Sequence, residues 1–230
     1  MNCMVEYIVV KISGRLLTPP RLSYLSMLRD SILESYRYGG LAIVTGGGPL
    51  SREYIGVLRE LSVPESILDV VGIYASRLNA LALASILLPY STIKIPESIE
   101  EAVDVAVKGL IPVIGGLQPG QSTNAVATSL AEALKAKLLL NMLDGVDGVY
   151  KPPPGVKGSR RLDRATYDEL EEIIREYPQI AGRYELIDNV ALSIARRSNI
   201  RILFVNGQNP QVIPLVIRGE KVTGTIVEPS

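Results

Sequence analysis

The stretch Tyr7-Ile8-Val9-Val10-Lys11-Ile12-Ser13-Gly14-Arg15 decides the fold of this chain. Its first six residues are aromatic, β-branched or apolar except for Lys11, and they do not alternate with polar residues. This pattern predicts a strand that is buried on both faces. Ser13 and Gly14 then predict a glycine turn between the strand and a helix. Such a turn places unpaired backbone N–H groups at the positive end of the helix, a geometry that binds phosphate.

Two further glycine-rich turns follow predicted strands in the same way. They are Thr45-Gly46-Gly47-Gly48-Pro49 and Gly115-Gly116-Leu117-Gln118-Pro119-Gly120-Gln121-Ser122-Thr123. The second turn lacks the Gly-Lys-Ser/Thr ending of a Walker A loop and the third glycine of a dinucleotide fingerprint. Three glycine turns in one short chain, two of them with a basic residue close by, predict a site for several phosphate groups at once.

The order of the segments predicts an α/β fold. Apolar strands that alternate with helices favour a three-layer α/β/α sandwich with an open, mainly parallel sheet, whose ligands bind at the carboxyl ends of the strands. We expect strands at 7–12, 41–45, 90–95, 111–114, 138–143 and 200–205, and an edge hairpin at 219–227. We expect helices at 18–39, 49–58, 68–88, 98–107, 123–134, 166–177 and 188–197, and an exposed loop at 151–161.

The composition limits the classes of function. With 230 residues the chain suffices for one large domain, and its 24 basic and 24 acidic side chains balance, so no bulk field attracts it to nucleic acid or to an anionic membrane. The single Cys3 excludes an internal disulfide and a cysteine zinc cluster, and an intracellular location is the default expectation. Because the sequence contains no histidine, its chemistry must rely on lysine, arginine, carboxylates and backbone dipoles.

The longest apolar stretch, residues 68–88, contains Asp69, Arg77 and Asn79. These polar residues argue against a bilayer span and favour a buried or oligomer-facing helix. Asp69 could cap this helix or bind a ribose hydroxyl. Arg77 is expected in an interface or a buried ion pair rather than on a substrate.

Lys11 is the sharpest single indication of function, because an unpaired ammonium group is costly inside a buried strand. Either Lys11 pairs with a structural carboxylate or reaches solvent at the strand end, or it points at a ligand phosphate. Arg52, one helical turn after the second glycine turn, could fold back over an anion. Residues 144–150 could form a turn with two solvated acids or a nucleotide pocket in which Tyr150 faces a base. Two aspartates alone do not define a metal site.

In their order and spacing these residues resemble the amino acid kinase family, and within it the archaeal-type uridylate (UMP) kinases. The resemblance covers nearly the whole chain. Besides the three turns and Arg52 with Tyr54, it rests on Leu68-Asp69, Gly72, Ala75-Ser76-Arg77-Leu78-Asn79-Ala80, Val146-Asp147-Gly148-Val149-Tyr150, Ala181-Gly182, Tyr184-Glu185-Leu186, Asp188 and Ile226-Val227-Glu228-Pro229.

The resemblance implies that the protein transfers the γ-phosphoryl group of ATP to UMP, with Mg²⁺ bound together with ATP and no metal ligand from the protein. It implies one domain, 1–230, in which 1–140 form the phosphoacceptor (UMP) lobe and 141–230 the ATP-binding lobe. The implied ATP-binding residues are Lys11, Ile12, Ser13, Gly14, Arg15, Gly48, Arg52 and Tyr150, of which Lys11 and Arg52 are catalytic. The implied UMP-binding residues are Gly47, Asp69, Leu117, Gln118, Pro119, Gly120, Gln121, Ser122 and Thr123. It further implies a cytoplasmic homohexamer in pyrimidine biosynthesis, with UTP as a feedback inhibitor.

The sequence departs from the pattern of these kinases at three places. Asp144-Gly145 replaces the frequent Thr-Asn, Asn124 replaces a frequent aspartate, and Pro153 stands where an aspartate usually follows the tyrosine. A second phosphate-binding lysine has no clear match, although Lys157, Arg160 or Arg161 could substitute for it. Two alternatives therefore stay open: a UMP- or UTP-binding regulator without turnover, and another small-molecule phosphotransferase of the same fold. Isopentenyl phosphate kinases are disfavoured because they use a histidine on the acceptor phosphate.

Overall fold

The computed structural model describes residues 6–176 and 186–229. In these ranges the strands are β1 Tyr7–Ile12, β2 Gly40–Thr45, β3 Val113–Ile114, β4 Leu138–Leu143, β5 Arg164–Thr166, β6 Ile202–Asn206 and β7 Thr225–Glu228. The helices are α1 Gly14–Leu17, α2 Leu22–Tyr36, α3 Gly48–Glu60, α4 Glu65–Ile86, α5 Ile99–Val107, α6 Thr123–Ala133, α7 Tyr167–Glu176, α8 Asn189–Arg197 and α9 Val212–Ile217. The expected segments Ala181-Gly182 and Tyr184-Glu185, and Tyr177 at the expected end of α7, lie outside the described residues.

The strands form one sheet in the order β3-β2-β1-β4-β6-β7-β5. The first five strands of this order run parallel to one another, whereas β7 pairs antiparallel with β6 and parallel with β5. The prediction of a mainly parallel α/β sheet is therefore confirmed.

Helices cover both faces of the sheet, as strands without polar alternation require. On one face, side chains from α2, α4 and α9 form a core cluster with Ile8, Val10 and Ile12 of β1. On the other face, side chains from α5, α6, α7 and α8 pack with Val9 of the same strand. The alternation along β1 also places Lys11 on the α6 face, since it lies two residues from Val9.

Helix α4 is the candidate membrane span by length and composition, with a mean hydropathy of 1.4 over its most apolar window. In the fold 44% of that window is buried, and the helix packs against α3, β2 and β3. Packing of α4 within the fold therefore accounts for the buried part of this apolar stretch, while other apolar side chains of the helix remain exposed.

The expected helix start at Thr18 and Pro19 is wrong. A short helix, α1, follows the first glycine turn directly, and Thr18 is its C-cap with φ −131° and ψ 125°. A residue before proline is pushed away from the helical region, so the chain must run extended here. The long helix α2 begins only at Leu22.

Two expected strands are also wrong. Residues 90–95 form bends and irregular backbone. Tyr90 and Ser91 each make one hydrogen bond to Ile111, through the Tyr90 carbonyl oxygen and the Ser91 hydroxyl, and no strand ladder forms there. The expected edge hairpin at 219–227 contributes one strand, β7, which lies inside the sheet between β6 and β5. Helix α9 separates β6 from β7, so they are not joined by a tight turn.

Candidate active site

The three glycine turns meet where β1, β2 and β3 end at one edge of the sheet. Between them and the end of β4 lies a cavity of ≈ 200 Å³, which we call the central cavity. It is lined by Lys11, Ser13, Gly14, Arg15, Gly46, Gly47, Gly48, Arg52, Ser122, Thr123, Asn124, Leu143, Asp144 and Val146.

The first two turns touch through their backbones. The amide of Gly46 donates to the carbonyl oxygen of Ile12 at 3.0 Å. A Cβ atom built on Gly14 would come closer than 3.0 Å to backbone atoms of both Gly46 and Gly48, and Gly48 itself has φ +67°. Only glycine permits this approach and this φ without strain, so the glycines bring the two turns close enough to share one ligand.

Two side chains of helix α4 form hydrogen bonds to the third glycine turn. The Ser76 hydroxyl accepts a hydrogen bond from the Gly116 amide at 2.7 Å, and Arg77 Nε donates to the Gly116 carbonyl oxygen at 3.0 Å. Arg77 also forms an ion pair with Glu97 at 3.0 Å. The Arg77 side chain is 15% exposed but that of Glu97 is 67% exposed, so the ion pair lies at the surface and is not the buried pair that the sequence predicted.

The same helix holds the second turn. Asn79 Nδ2 donates to the Gly46 carbonyl oxygen at 2.8 Å, while Asn79 Oδ1 accepts from the Thr18 hydroxyl at 2.9 Å. Thr45 Oγ1 donates to the Ser76 carbonyl oxygen at 2.8 Å. Sequence reasoning missed this role of Ser76 and Asn79, although a polar side chain within an apolar helix was the available signal.

Charge in the central cavity favours an anion. Among the described residues that line it, Lys11, Arg15 and Arg52 are cationic and Asp144 supplies the carboxylate. Lys11 is 8% exposed and stands one residue before the end of β1. Cations in a partly desolvated site attract phosphate more strongly than they would in water.

A second cavity of ≈ 190 Å³ adjoins the first, and we call it the side cavity. It is lined by Ser51, Ile55, Asp69, Gly72, Ile73, Ser76, Gly116, Gln118, Gln121 and Thr123. Thr123 lines both cavities. Asp69 Oδ2 accepts from the Gly120 amide at 2.8 Å, and the N-cap of α4 is Pro64, so Asp69 is not a helix cap.

The start of α6 is fixed against α8. Either Ser122 or Thr123 could cap α6 by sequence; the structure has Ser122 as the N-cap, and its hydroxyl accepts from the amides of Asn124 and Ala125 at 3.1 and 3.0 Å. The same hydroxyl donates to Asp188, the N-cap of α8. This pairing sets the position of the helix end that borders the central cavity.

Tyr150 lies outside the residues that line either cavity. Its hydroxyl donates to Asp147 Oδ1 at 2.7 Å, and Asp147 Oδ2 pairs with Arg161 Nη1 at 2.7 Å. The Tyr150 hydrogen bond, followed by the Arg161 guanidinium, lowers the pKa of the Asp147 carboxyl below its usual value. The same hydrogen bond raises the pKa of Tyr150.

The structure thus brings most of the predicted site residues together. The central cavity takes Lys11, Ser13, Gly14, Arg15, Gly47, Gly48, Arg52, Ser122 and Thr123, and the side cavity takes Asp69, Gln118, Gln121 and Thr123. Ile12 is fully buried in the core. Leu117 packs against the core cluster on the α6 face of the sheet, and Pro119 and Gly120 are exposed at the tip of the third turn.

Comparison with known proteins agrees with this geometry. The sequence model of the amino acid kinase family matches residues 6–206. The chain belongs to the amino acid kinase family. Its similarity to individual members extends beyond the matched region to nearly the full length of the chain.

Two curated members of the amino acid kinase family and one solved structure illustrate that similarity. A uridylate kinase of Aeropyrum pernix is 52% identical over 227 residues, which cover 97% of this chain and 100% of the relative. A uridylate kinase of Hyperthermus butylicus is 41% identical, with 95% and 97% covered. The crystal structure of a uridylate kinase from Archaeoglobus fulgidus superposes with a TM-score of 0.85 at 32% identity, with 96% and 99% covered.

Proposed function

We propose that this chain is a UMP kinase, which transfers the γ-phosphoryl group of ATP to UMP and releases UDP and ADP. The uridylate kinases that it resembles along nearly their full length support this proposal. The observation that carries it is the pair of adjoining cavities, one cationic and one with the Asp69 carboxylate, that share Thr123. Two nucleotides bound head to head there would meet at their phosphates.

We assign ATP to the central cavity, where it would contact Lys11, Ser13, Gly14, Arg15, Gly48 and Arg52. Ile12 would contribute only its backbone to the ATP site. Tyr150 would lie at the far end of that site. Lys11 and Arg52 are the catalytic residues, because phosphoryl transfer depends on positioning and on stabilising charge on the phosphate oxygens. No histidine is needed, since the attacking UMP phosphate is already an anion.

We assign UMP to the side cavity. Asp69 binds the ribose, Gly47 lies against the nucleotide, and the turn from Leu117 to Thr123 surrounds the phosphate and base. In this assignment 1–140 form the UMP lobe and 141–230 the ATP lobe. Holding both substrates at neighbouring strand ends lowers the entropic barrier, a contribution of several kcal/mol.

Mg²⁺ fits the central cavity as a companion of ATP. It prefers oxygen ligands and is usually bound by substrate phosphates with one or two carboxylates. Asp144 borders the cavity, and its Oδ1 accepts from Gln208 Nε2 at 3.2 Å, a contact that orients the carboxylate. The ion would supply neutralisation of the charge on the transferring phosphoryl group.

The exposed apolar side chains of α3 and α4 support a homo-oligomer, which we propose to be a hexamer. They recur at helical spacing along α3 and its C-cap and along α4: Tyr54, Val57, Leu61, Ile67, Tyr74, Leu78 and Leu81. A patch of this kind usually marks an interface. Tyr74→Glu is expected to dissociate the assembly, measured by sedimentation velocity, and an unchanged sedimentation coefficient would contradict the interface.

A panel of nucleoside monophosphates in a coupled ADP assay tests the function. With Mg-ATP, we expect ADP to form only when UMP is added. Turnover of CMP or AMP but not UMP would point to another phosphotransferase of this fold. UMP or UTP binding in calorimetry with no ADP release under any condition would favour the regulator.

Inhibition of the UMP reaction by UTP tests the proposed feedback, which fits a cytoplasmic enzyme of pyrimidine biosynthesis.

A further inference from the structure

Asn141 is a polar residue in the middle of a buried strand. It interrupts the run Leu138-Leu139-Leu140-Asn141-Met142-Leu143 of β4 and is 1% exposed. In a strand that is covered by helices on both faces, a polar side chain is costly unless all its hydrogen bonds are made. Its presence therefore requires an explanation beyond packing.

The sheet register places Asn141 beside Lys11. The two residues are paired across the parallel strands β1 and β4. Leu139 and Leu143 pack on the α6 face of the sheet, as does Val9 of β1, so the side chains of Asn141 and Lys11 project from the same face. The Asn141 carboxamide therefore lies next to the side chain of Lys11, which borders the central cavity.

Among the described residues, only the amide nitrogen of the Asn141 side chain has hydrogen-bond partners. Asn141 Nδ2 donates to the Leu186 carbonyl oxygen at 3.2 Å and approaches Asn124 Oδ1 at 3.4 Å. Asn124 itself borders the central cavity. Asn141 Oδ1 is buried and, among the described residues, accepts no hydrogen bond.

We propose that Asn141 is a positioning residue for Lys11: its Oδ1 accepts a hydrogen bond from the Lys11 ammonium group when the central cavity holds ATP. An ammonium group has three donors, so one can bind Asn141 while the others face phosphate oxygens. The proposal rests on the proposed function, since it assigns Lys11 to ATP.

Because the amide of Asn141 is neutral, it leaves the positive charge of Lys11 uncompensated by this side chain. A carboxylate at this position would neutralise Lys11 and compete with the phosphate, whereas an amide oxygen orients the ammonium group and leaves its charge available. Asn141→Asp and Asn141→Leu therefore separate orientation from charge at nearly constant side-chain volume.

The test is calorimetry of ATP binding without UMP, on the full-length protein at about pH 8, with Asn141→Leu made both in wild type and in Lys11→Met. For Asn141→Asp we expect the affinity to fall about tenfold or more relative to wild type, because the new carboxylate pairs with the Lys11 ammonium group and repels the phosphates. For Asn141→Leu we expect a loss of several-fold in affinity when Lys11 is present and no further loss in the Lys11→Met background, since a residue that acts through Lys11 has no ammonium group left to position there. Asn199→Asp, which makes the same chemical change at an exposed residue far from the cavity, is the matched control and should bind ATP as wild type.

Equal affinities for wild type and both Asn141 variants would overturn the proposal. So would a loss for Asn141→Leu that is the same with Lys11 and with Lys11→Met, since that is what a purely structural hydrogen bond to Leu186 predicts. If wild type binds ATP but never phosphorylates UMP, the proposed function fails while the Asn141 comparison still gives its answer. If wild type does not bind ATP, both fail.

Discussion

Asn79 of helix α4 donates its amide to the carbonyl oxygen of Gly46, the first glycine after strand β2, at 2.8 Å. The residues are separated by 33 positions, and the contact is buried. This bond fixes the backbone of the second glycine turn from helix α4, none of whose residues lines the central cavity. Helix α4 therefore positions the second glycine turn together with the glycines of the turn itself.

Asn79→Ala should remove this support. We expect a loss of about 1–3 kcal/mol in the free energy of unfolding, because the Gly46 carbonyl oxygen is left buried without its donor. The KM for ATP should rise because the turn lines the central cavity, and the KM for UMP should rise because Gly47 of this turn is assigned to UMP. Urea unfolding and steady-state kinetics measure the two effects. Ser85→Ala, on the same helix with an exposed hydroxyl, is the control, and equal stabilities of the two variants would contradict the role of Asn79.

Lys11→Met should separate activity from stability. Methionine keeps the length of the side chain but removes the ammonium group, so we expect kcat to fall about 10²-fold or more. Thermal unfolding is the control: a cooperative transition of the variant assigns the loss to the missing ammonium group and not to a failure to fold. A kcat within about threefold of wild type would exclude Lys11 from catalysis.

Gly14→Ala should destabilise the protein, since its Cβ would overlap the backbone of the second turn. Overpacking against rigid backbone costs about 1–3 kcal/mol. Gly56, an exposed glycine within α3, has open space where a Cβ atom would stand, with nothing within 4 Å. Gly56→Ala should instead stabilise by about 0.5–1 kcal/mol through helix propensity. Chemical denaturation of both variants checks the opposite signs, and equal shifts would contradict the close approach of the turns.

The Asp147–Arg161 pair should make stability depend on pH in the acid range. The pKa of Asp147 is lower in the folded protein than the unfolded value of about 3.9. Its contribution is therefore fully present above that value and is lost as the pH falls through the folded pKa. Both side chains are partly exposed, so we expect at most about 1 kcal/mol.

Urea unfolding of wild type and Asp147→Asn at about pH 7 and about pH 2 measures this contribution. The difference between the two proteins should be present at the higher pH and vanish at the lower one. A difference that stays constant across the range would assign the effect to the shape of the side chain and not to its charge.

Local patterns in the sequence were sufficient for much of the fold. The β-branched run at 7–12 predicted β1 in full. The helices expected at 123–134 and 188–197 begin within one residue of those positions, where Ser122 and Asp188 are the N-caps, because capping is a short-range interaction. The start of α2 was missed because Thr18 precedes Pro19, and the conformational restriction on that residue outweighs its preference for capping.

The connections that complete the candidate site are long-range and could not be derived from one sequence. Nothing near Gly14 indicates that Gly48 will touch it, and nothing near Asn79 indicates Gly46 as its partner. The hydroxyl of Tyr150 turns to Asp147, so an aromatic residue expected to border the ATP site lies outside both cavities. Each of these contacts depends on how strands are ordered in the sheet, which periodicity does not specify.

The place of β7 in the sheet has a consequence for the order of events during synthesis. Strand β5 joins the sheet through β7, and β7 ends at Glu228, more than 60 positions after β5. While the ribosome is still translating, the five parallel strands of the order β3-β2-β1-β4-β6 can already pair with one another, but β5 has no strand to pair with. The sheet edge next to Arg161 is therefore completed last, and removal of β7 would leave β5 without its strand partner while the five parallel strands keep their pairing with one another.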